Sequence, residues 1–250
     1  MHMPTTFFGW IVYLISKYHT LYLQGLLTTL ETSLTGTLIG CLLGFITGIV
    51  QAVNFSSEMG PVKRVLLRIL WGISKVYVTV FRGTPMIVQA MVVYYGIAQG
   101  FGIQMGSFQA AVLVITLNTG AYMAETVRGG IQSIDPGQIE GANALGMKYT
   151  TMMGHIIIPQ TFRIIAPQLG NTFVANIKDT SVLNVIAVTE LFYITKVVAG
   201  TYFRMFEAYT ITAMVYLTLT LVFNGLFRLI ENRMADSDSY EIIQPEKAVA

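Results

Sequence analysis

A chain of 250 residues that is 54% hydrophobic and only 11% charged falls far below the roughly 25% charge of soluble domains, which excludes an ordinary water-soluble globular protein; its apolar content excludes a disordered one. One cysteine, Cys41, excludes a disulfide framework and a cysteine zinc site. A net charge of +2, from 15 basic and 13 acidic residues, gives no electrostatic footing for nucleic-acid binding, and an integral membrane protein remains.

Residues 1–24 come first. Lys17 lies late in this segment and no positive region precedes the apolar run, so it does not read as a secretory signal. Trp10, Tyr13 and Tyr18 are residue types that settle at membrane–water borders, and a short amphipathic helix at the interface is expected. Residues 25–51 form the clearest span, long and apolar enough to cross roughly 30 Å of hydrocarbon. Within it Gly36, Gly40, Gly44 and Gly48 recur every fourth residue, so they share one face and admit another helix at close range. The stripe reads as packing. In residues 61–81 the cations Lys63, Arg64, Arg68 and Lys75 interrupt an apolar pattern. Burying four charges in lipid is costly, so an amphipathic surface helix is expected there. Further spans are expected at 85–101, which is at the lower length limit, and at 108–127, 164–188 and 208–230. All are expected to be helical, because an open sheet leaves its backbone unsatisfied in lipid. The tail, 234–250, is polar and acidic and reads as disordered. The expected fold class is all-α, with five transmembrane helices.

Five spans put the termini on opposite sides. If the connection after the first span is cytoplasmic, eleven Lys and Arg residues fall inside and three, Lys17, Lys196 and Arg204, fall outside. The positive-inside rule then places the N-terminus outside and the C-terminus in the cytoplasm. The long connection 128–163 is cytoplasmic on the same count.

That connection is the most informative stretch. Asp135 suits an N-cap, Pro136 the first helical position, and Gln138 a capping-box partner. Gly146 is placed to end the short helix. A second helical stretch is expected from Lys148 to just before Pro159. The unit presents Glu140 beside the small residues Gly141, Ala142 and Ala144, a surface able to seat in a groove of another protein.

These residues resemble a known family. Glu140-Gly141-Ala142, then Gly146, Ile156 and Ile158-Pro159 are similar to the EAA loop of the membrane permease subunits of ATP-binding-cassette importers. Gly141 stands for the pattern's second alanine and Ile158 for its leucine, with the spacing unchanged. Phe81-Arg82-Gly83-Thr84-Pro85 resembles a segment of the polar amino-acid permeases, the histidine, glutamine, glutamate, arginine and cystine type. Thr116 to Tyr122 with Glu125, and Pro167, Leu169, Gly170, Asn171 and Lys178 to Ser181, resemble that family's third and fourth spans. The likeness runs from about Gly25 to Arg233. It implies the type I importer permease fold and a prokaryotic plasma (inner) membrane. It also implies that the helix of Glu140, Gly141 and Ala142, framed by Gly146, Ile156 and Pro159, docks on a cytoplasmic ATPase dimer and couples to it. The further partners implied are a second permease subunit, identical or related, and an extracytoplasmic solute-binding protein. No G-x-x-x-x-G-K-[ST] loop occurs in the chain. ATP and Mg are therefore expected on the partner, and no cofactor here.

Lys178 and Asp179 lie near the middle of the fourth span, where an ionisable residue is a functional-site hypothesis by default. Neighbours in sequence do not pair on a regular helix, so each needs another partner or the helix breaks there, as in many transporter sites. One reading has Asp179 bind the α-amino or side-chain cation of an amino acid, with hydrogen bonds from Asn171 and Thr180. The other is a buried structural pair or gate. Arg82 reads as a topology anchor, Glu125 as a partner of Arg128, and Asn118 as a helix–helix hydrogen bond. An intramembrane enzyme lacks its constellation: the histidines are His2, His19 and His155, and no H-E-x-x-H or G-x-S-x-G occurs. No catalytic or metal-binding residue is expected. A stand-alone secondary transporter is the competing class; such folds usually carry inverted repeats, and no duplication is visible. Dependence on an ATPase separates the two.

Overall fold

The computed structural model describes residues 3–53 and 60–235; most of the expected tail lies outside the described residues. Helix α1 spans Phe7–Ala52. Thr6 caps it, its Oγ1 accepting from the Gly9 N–H at 3.2 Å. At 46 residues it is about 69 Å long, well over the hydrocarbon thickness. Of the separate interfacial helix expected over 1–24, residues 7–24 are instead the first part of one continuous rod. Gly25, which looked like a boundary, serves packing instead: a Cβ there would meet Leu191 Cα at 3.0 Å.

Helix α2 (Pro61–Gly83) and helix α3 (Met86–Phe101) are bent by 114° at the Thr84-Pro85 break. Pro85 has no N–H to continue α2, and Thr84 is extended, as a residue before proline prefers. The surface-helix expectation over 61–81 meets a helix docked on its neighbours. Its Tyr77 hydroxyl donates to Leu117 O at 2.6 Å, and Val78 packs with Ala121 and Ala124. With only 16 residues, α3 is about 24 Å long and too short to cross alone.

Helix α4 (Ser107–Gln132) is the centre of the fold. The α1 glycines lie directly against it: Gly36 on Ile115, Gly40 on Thr119, Gly44 on Met123 and Gly48 on Val127. Each step of four on α1 matches a step of four upward on α4, so the two helices run in the same direction. The stripe is packing, as expected.

After α4 come α5 (Pro136–Ala144) and α6 (Tyr149–Met152). A π-helical turn, Met153–Ile157, leads directly into α7 (Ile158–Asp179). The helix expected to stop before Pro159 instead continues through it. The widened turn takes up the bonding and space that a proline ring disrupts one turn earlier, and Pro159 sits in the first turn of α7. Contacts between α4 and α7 descend on one as they rise on the other: Thr119 with Asn176, Met123 with Thr172, Gly130 with Thr161. These two helices are antiparallel. At Asp179 the helix tightens to 3-10 over Thr180–Ile186, ending at Ala187 with φ +58°.

Helix α8 (Leu191–Tyr202) follows a 57° bend, and α9 (Met205–Ala235) closes the described chain. Gly170 lies on Phe227, and Phe173 packs edge-on to Phe223 at 5.0 Å, so α9 is antiparallel to α7. The N-terminal part of α1 packs on α8 and α9 through Trp10, Leu14, Val198 and Ala208. Among the described residues three helices are long and apolar enough to cross a membrane, α1, α4 and α9; counting each bent pair as one span gives up to five.

Candidate functional site

The Thr84-Pro85 break and one face of α7 enclose a cavity of about 510 Å³. From α7 it is lined by Gln168, Asn171, Thr172, Ala175, Asn176 and Asp179, a three- and four-residue spacing that defines a single polar stripe. Asn118, Thr119 and Tyr122 of α4 face that stripe. Thr84, Pro85, Met86 and Ile87 complete the wall, so the N-terminus of α3 opens on the cavity. No side chain caps that terminus. Its free N–H groups and dipole present partial positive charge, while Asp179 is the only charged side chain in the lining among the described residues.

Of the residues singled out in the sequence, Asp179 and Asn171 meet here. Lys178 is exposed and is not among the residues that line it. Thr180 is fully buried outside the cavity, its hydroxyl donating to Ile177 O at 2.8 Å. The α-helix of the fourth span ends at the Lys178-Asp179 pair and passes into the 3-10 turn, the second of the two alternatives for adjacent charges.

Amides hold the cavity walls. Gln89 on α3 is buried, and its Nε2 donates to Phe81 O at 2.8 Å, Thr84 O at 2.9 Å and Thr84 Oγ1 at 3.0 Å. Those acceptors fix the amide with Oε1 outward, where it accepts from Asn118 Nδ2 at 3.0 Å. The helix–helix bond expected of Asn118 is therefore present, and it ties the α2–α3 break to α4. Behind the stripe, Asn176 Nδ2 donates to Thr37 Oγ1 at 2.7 Å and Thr119 Oγ1 at 2.9 Å, joining α1, α4 and α7 in one buried node.

The projecting connection is built as its local chemistry dictates. Asp135 Oδ1 accepts from the Gly137 N–H at 2.8 Å, and Pro136 opens α5. Gly146 takes φ +69°, and the N–H groups of Gly146 and Met147 reach back to Asn143 O and Ala142 O at 2.9 and 3.0 Å. This pair of bonds closes the helix as a Schellman motif. Ala142 is buried with Ile134, Met152 and Ile157, which seats α5 on the base of α7. Glu140 and Gly141 remain exposed on the opposite side, Ile156 packs on that small core, and Pro159 is exposed. Nearby, Glu125 is held by Arg128, as expected, and also by Arg82 at 3.5 Å.

Sequence reasoning missed Gln89, Asn176 and Glu190. Glu190 is fully buried and caps α8, its carboxylate accepting from the Phe192 and Tyr193 N–H groups at 2.8 and 2.6 Å and from the Tyr216 hydroxyl at 3.0 Å. It fell between two expected spans. An acid just ahead of an apolar helical run is a readable capping signal.

The model for binding-protein-dependent transport system inner membrane components matches residues 44–236. The chain is 34% identical to the arginine transport system permease protein ArtQ of Bacillus subtilis (strain 168) over 169 residues, 68% of this chain and 77% of that one. It is 37% identical to the glutamine transport system permease protein GlnP of Escherichia coli (strain K12) over 163 residues, 65% of this chain and 74% of that one. A crystal structure of an amino acid ABC transporter with histidines superposes with TM-score 0.79 at 34% identity, covering 92% of this chain and all of that chain. The inward-facing MetNI methionine ABC transporter shares the fold at TM-score 0.71 and 16% identity, covering 87% of this chain and 98% of that one. With the match covering most of the chain and the all-helical architecture agreeing with it, the chain belongs to the family of binding-protein-dependent transport system inner membrane components.

Proposed function

We propose that this chain carries a polar amino acid across the inner membrane of a prokaryote as the permease subunit of an ATP-binding-cassette importer. The observation that carries the substrate reading is the cavity with a carboxylate, Asp179, on one wall and the bare N-terminus of α3 on another. An amino-acid zwitterion has the matching charges: its ammonium suits Asp179, and its carboxylate suits the helix terminus. Asn171 adds a hydrogen-bonding amide to the same wall. Arginine and glutamine are the substrates named for two of its relatives.

The family consists of permease subunits, which are not themselves enzymes; ATP hydrolysis belongs to a separate ATPase. On this reading ATP and Mg are held by a cytoplasmic ATPase dimer. That dimer docks on α5 through Glu140, Gly141 and Ala142, with Gly146, Ile156 and Pro159 holding the helix in position. A second permease chain completes the path, and an extracytoplasmic binding protein delivers the substrate. ATP binding then biases inward-open against outward-open states, and the coupling is reciprocal in binding free energy. The helix directions support five spans: α1 and α4 run one way, α7 runs back, and α9 runs with α4. A connection between two parallel spans has to cross once, so the α2–α3 pair counts as one. With the excess of basic residues on the α5 side, the N-terminus is outside and the C-terminus cytoplasmic.

The test is co-purification of the tagged chain, wild type and Glu140→Arg, from gently solubilised membranes. A P-loop ATPase recovered with the wild type and lost with the variant is the expected result. A chain that purifies alone and transports alone in liposomes overturns the reading in favour of a secondary carrier.

A further inference from the structure

Glu190 is fully buried, and the groups that donate to it are neutral. Its Oε2 accepts from both the Phe192 N–H and the Tyr216 hydroxyl, and its Oε1 accepts from the Tyr193 N–H. A carboxylate buried among neutral donors is costly. A helix cap alone does not call for it, because the short side chains of Ser, Thr or Asp cap as well. What the longer Glu adds is reach: it caps α8 and also holds Tyr216 on α9.

The Tyr216 hydroxyl also faces those of Thr180 and Thr29. Thr29, on α1, in turn accepts from the Leu191 N–H at 3.2 Å. One phenol on α9 therefore meets both ends of the segment 180–190, Thr180 at its start and Glu190 at its end, and both of these are fully buried. Between them the chain runs through the 3-10 turn and the left-handed Ala187. There Leu183, Ile186 and Val188 pack with Ala90 of α3 and with Ala110 and Val114 of α4. Asp179 stands directly ahead of Thr180, as the last residue of α7, and lines the cavity. The end of a helix lacks a full set of backbone partners and frays unless the chain beyond it is held. We propose that Glu190 and Tyr216 are positioning residues of the cavity: by clamping the two ends of segment 180–190 they fix where the Asp179 carboxylate meets the transported amino acid. This rests on the reading of Asp179 as a substrate ligand and extends it to two residues that line no part of the cavity.

The experiment uses the chain purified in detergent with whatever partners accompany it. The standard amino acids are added one at a time, and the Kd of each that raises the melting temperature is taken from its titration. Tyr216→Phe is the informative variant, because it removes the hydroxyl and keeps the ring, while Glu190 still caps α8 through the backbone. Glu190→Gln, of equal length, is read in the same way should Tyr216→Phe fail to fold. Tyr209→Phe, on the same helix with its ring stacked on Phe192, is the control. Tyr216→Phe is expected to raise Kd roughly two- to tenfold, the equivalent of one neutral hydrogen bond, and Tyr209→Phe to match the wild type. Combined with Asp179→Asn, Tyr216→Phe is expected to add nothing to the loss from Asp179→Asn alone, since no carboxylate remains to be positioned. A merely structural role lowers the melting temperature of the unliganded protein and leaves Kd where it was. Unchanged Kd in Tyr216→Phe while Asp179→Asn weakens binding overturns the positioning role alone, as does a double variant in which the two losses multiply. A wild type stabilised by none of the amino acids, or a Kd unmoved by Asp179→Asn, overturns the substrate reading and the positioning role with it.

Discussion

The α1–α4 contact makes the sharpest stability prediction, because the cost of one methyl group can be worked from the geometry. A Cβ on Gly40 would lie 2.7 Å from Thr119 Cβ and 3.0 Å from Thr116 O, where ordinary contact begins at 3.4 Å. The carbonyl belongs to a helix backbone and cannot rotate away, so Gly40→Ala has to push the two helices apart by several tenths of an ångström. That movement pulls on the Asn176 node, whose two bonds reach Thr37 on α1 and Thr119 on α4. Overpacking of this kind costs about 1–3 kcal/mol. The matched control is Gly72→Ala inside α2, where an added Cβ meets nothing within 4 Å. There the gain in helix propensity is up to about 1 kcal/mol. The assay is thermal unfolding in detergent followed by tryptophan fluorescence, with a fall of about 2–4 °C expected for each kcal/mol. If Gly40→Ala melts at or above the wild-type temperature, or Gly72→Ala falls by as much, close backbone approach is not what those glycines provide.

Other outcomes follow from the cavity and its supports. Asp179→Asn removes the carboxylate and one charge-assisted hydrogen bond, about 1.5–3 kcal/mol, so KM for the transported amino acid should rise roughly ten- to a hundredfold. Unchanged affinity for every amino acid tested in reconstituted vesicles ends the case for Asp179. Gln89→Leu strips the donor from the Phe81 and Thr84 acceptors and leaves Asn118 without its partner. It should cost about 1–3 kcal/mol in unfolding experiments; a variant as stable as wild type removes Gln89 from the account. Gly146→Ala places a side chain at φ +69° and should cost about 1–2 kcal/mol. Recovery of the co-purifying ATPase should fall with it, and full recovery refutes the role given to that cap.

The parts of this protein visible in its sequence are those determined by local chemistry. Asp135, Pro136 and Gly146 act within a few residues of themselves, so the start and end of α5 are legible without any knowledge of what surrounds them. The glycine stripe is legible for the same reason: a four-residue period defines a helix face in isolation. Its partner is not, and neither is the direction of that partner, which emerges only when Gly36, Gly40, Gly44 and Gly48 are set against Ile115, Thr119, Met123 and Val127. The helix expected to stop before Pro159 runs through it, because a proline rule assumes a regular helix and a single π turn is enough to carry the chain through.

The polar residues that shape the cavity are a harder case. Asp179 announces itself, since a charge in an apolar run is costly wherever it lies. Gln89 and Asn176 are neutral, and their cost depends on whether partners are near. Those partners sit as much as 139 residues away, in the case of Thr37 and Asn176. Gln89 acquires a function only because Pro85 bends the chain and leaves two carbonyls without helical donors. Once the bend exists, the carbonyls determine which end of the Gln89 amide faces them, and that determines which end of Asn118 meets it. The orientation of an amide in the cavity wall is thus set by a proline four residues before Gln89, through two hydrogen-bonding steps that no periodicity or motif encodes.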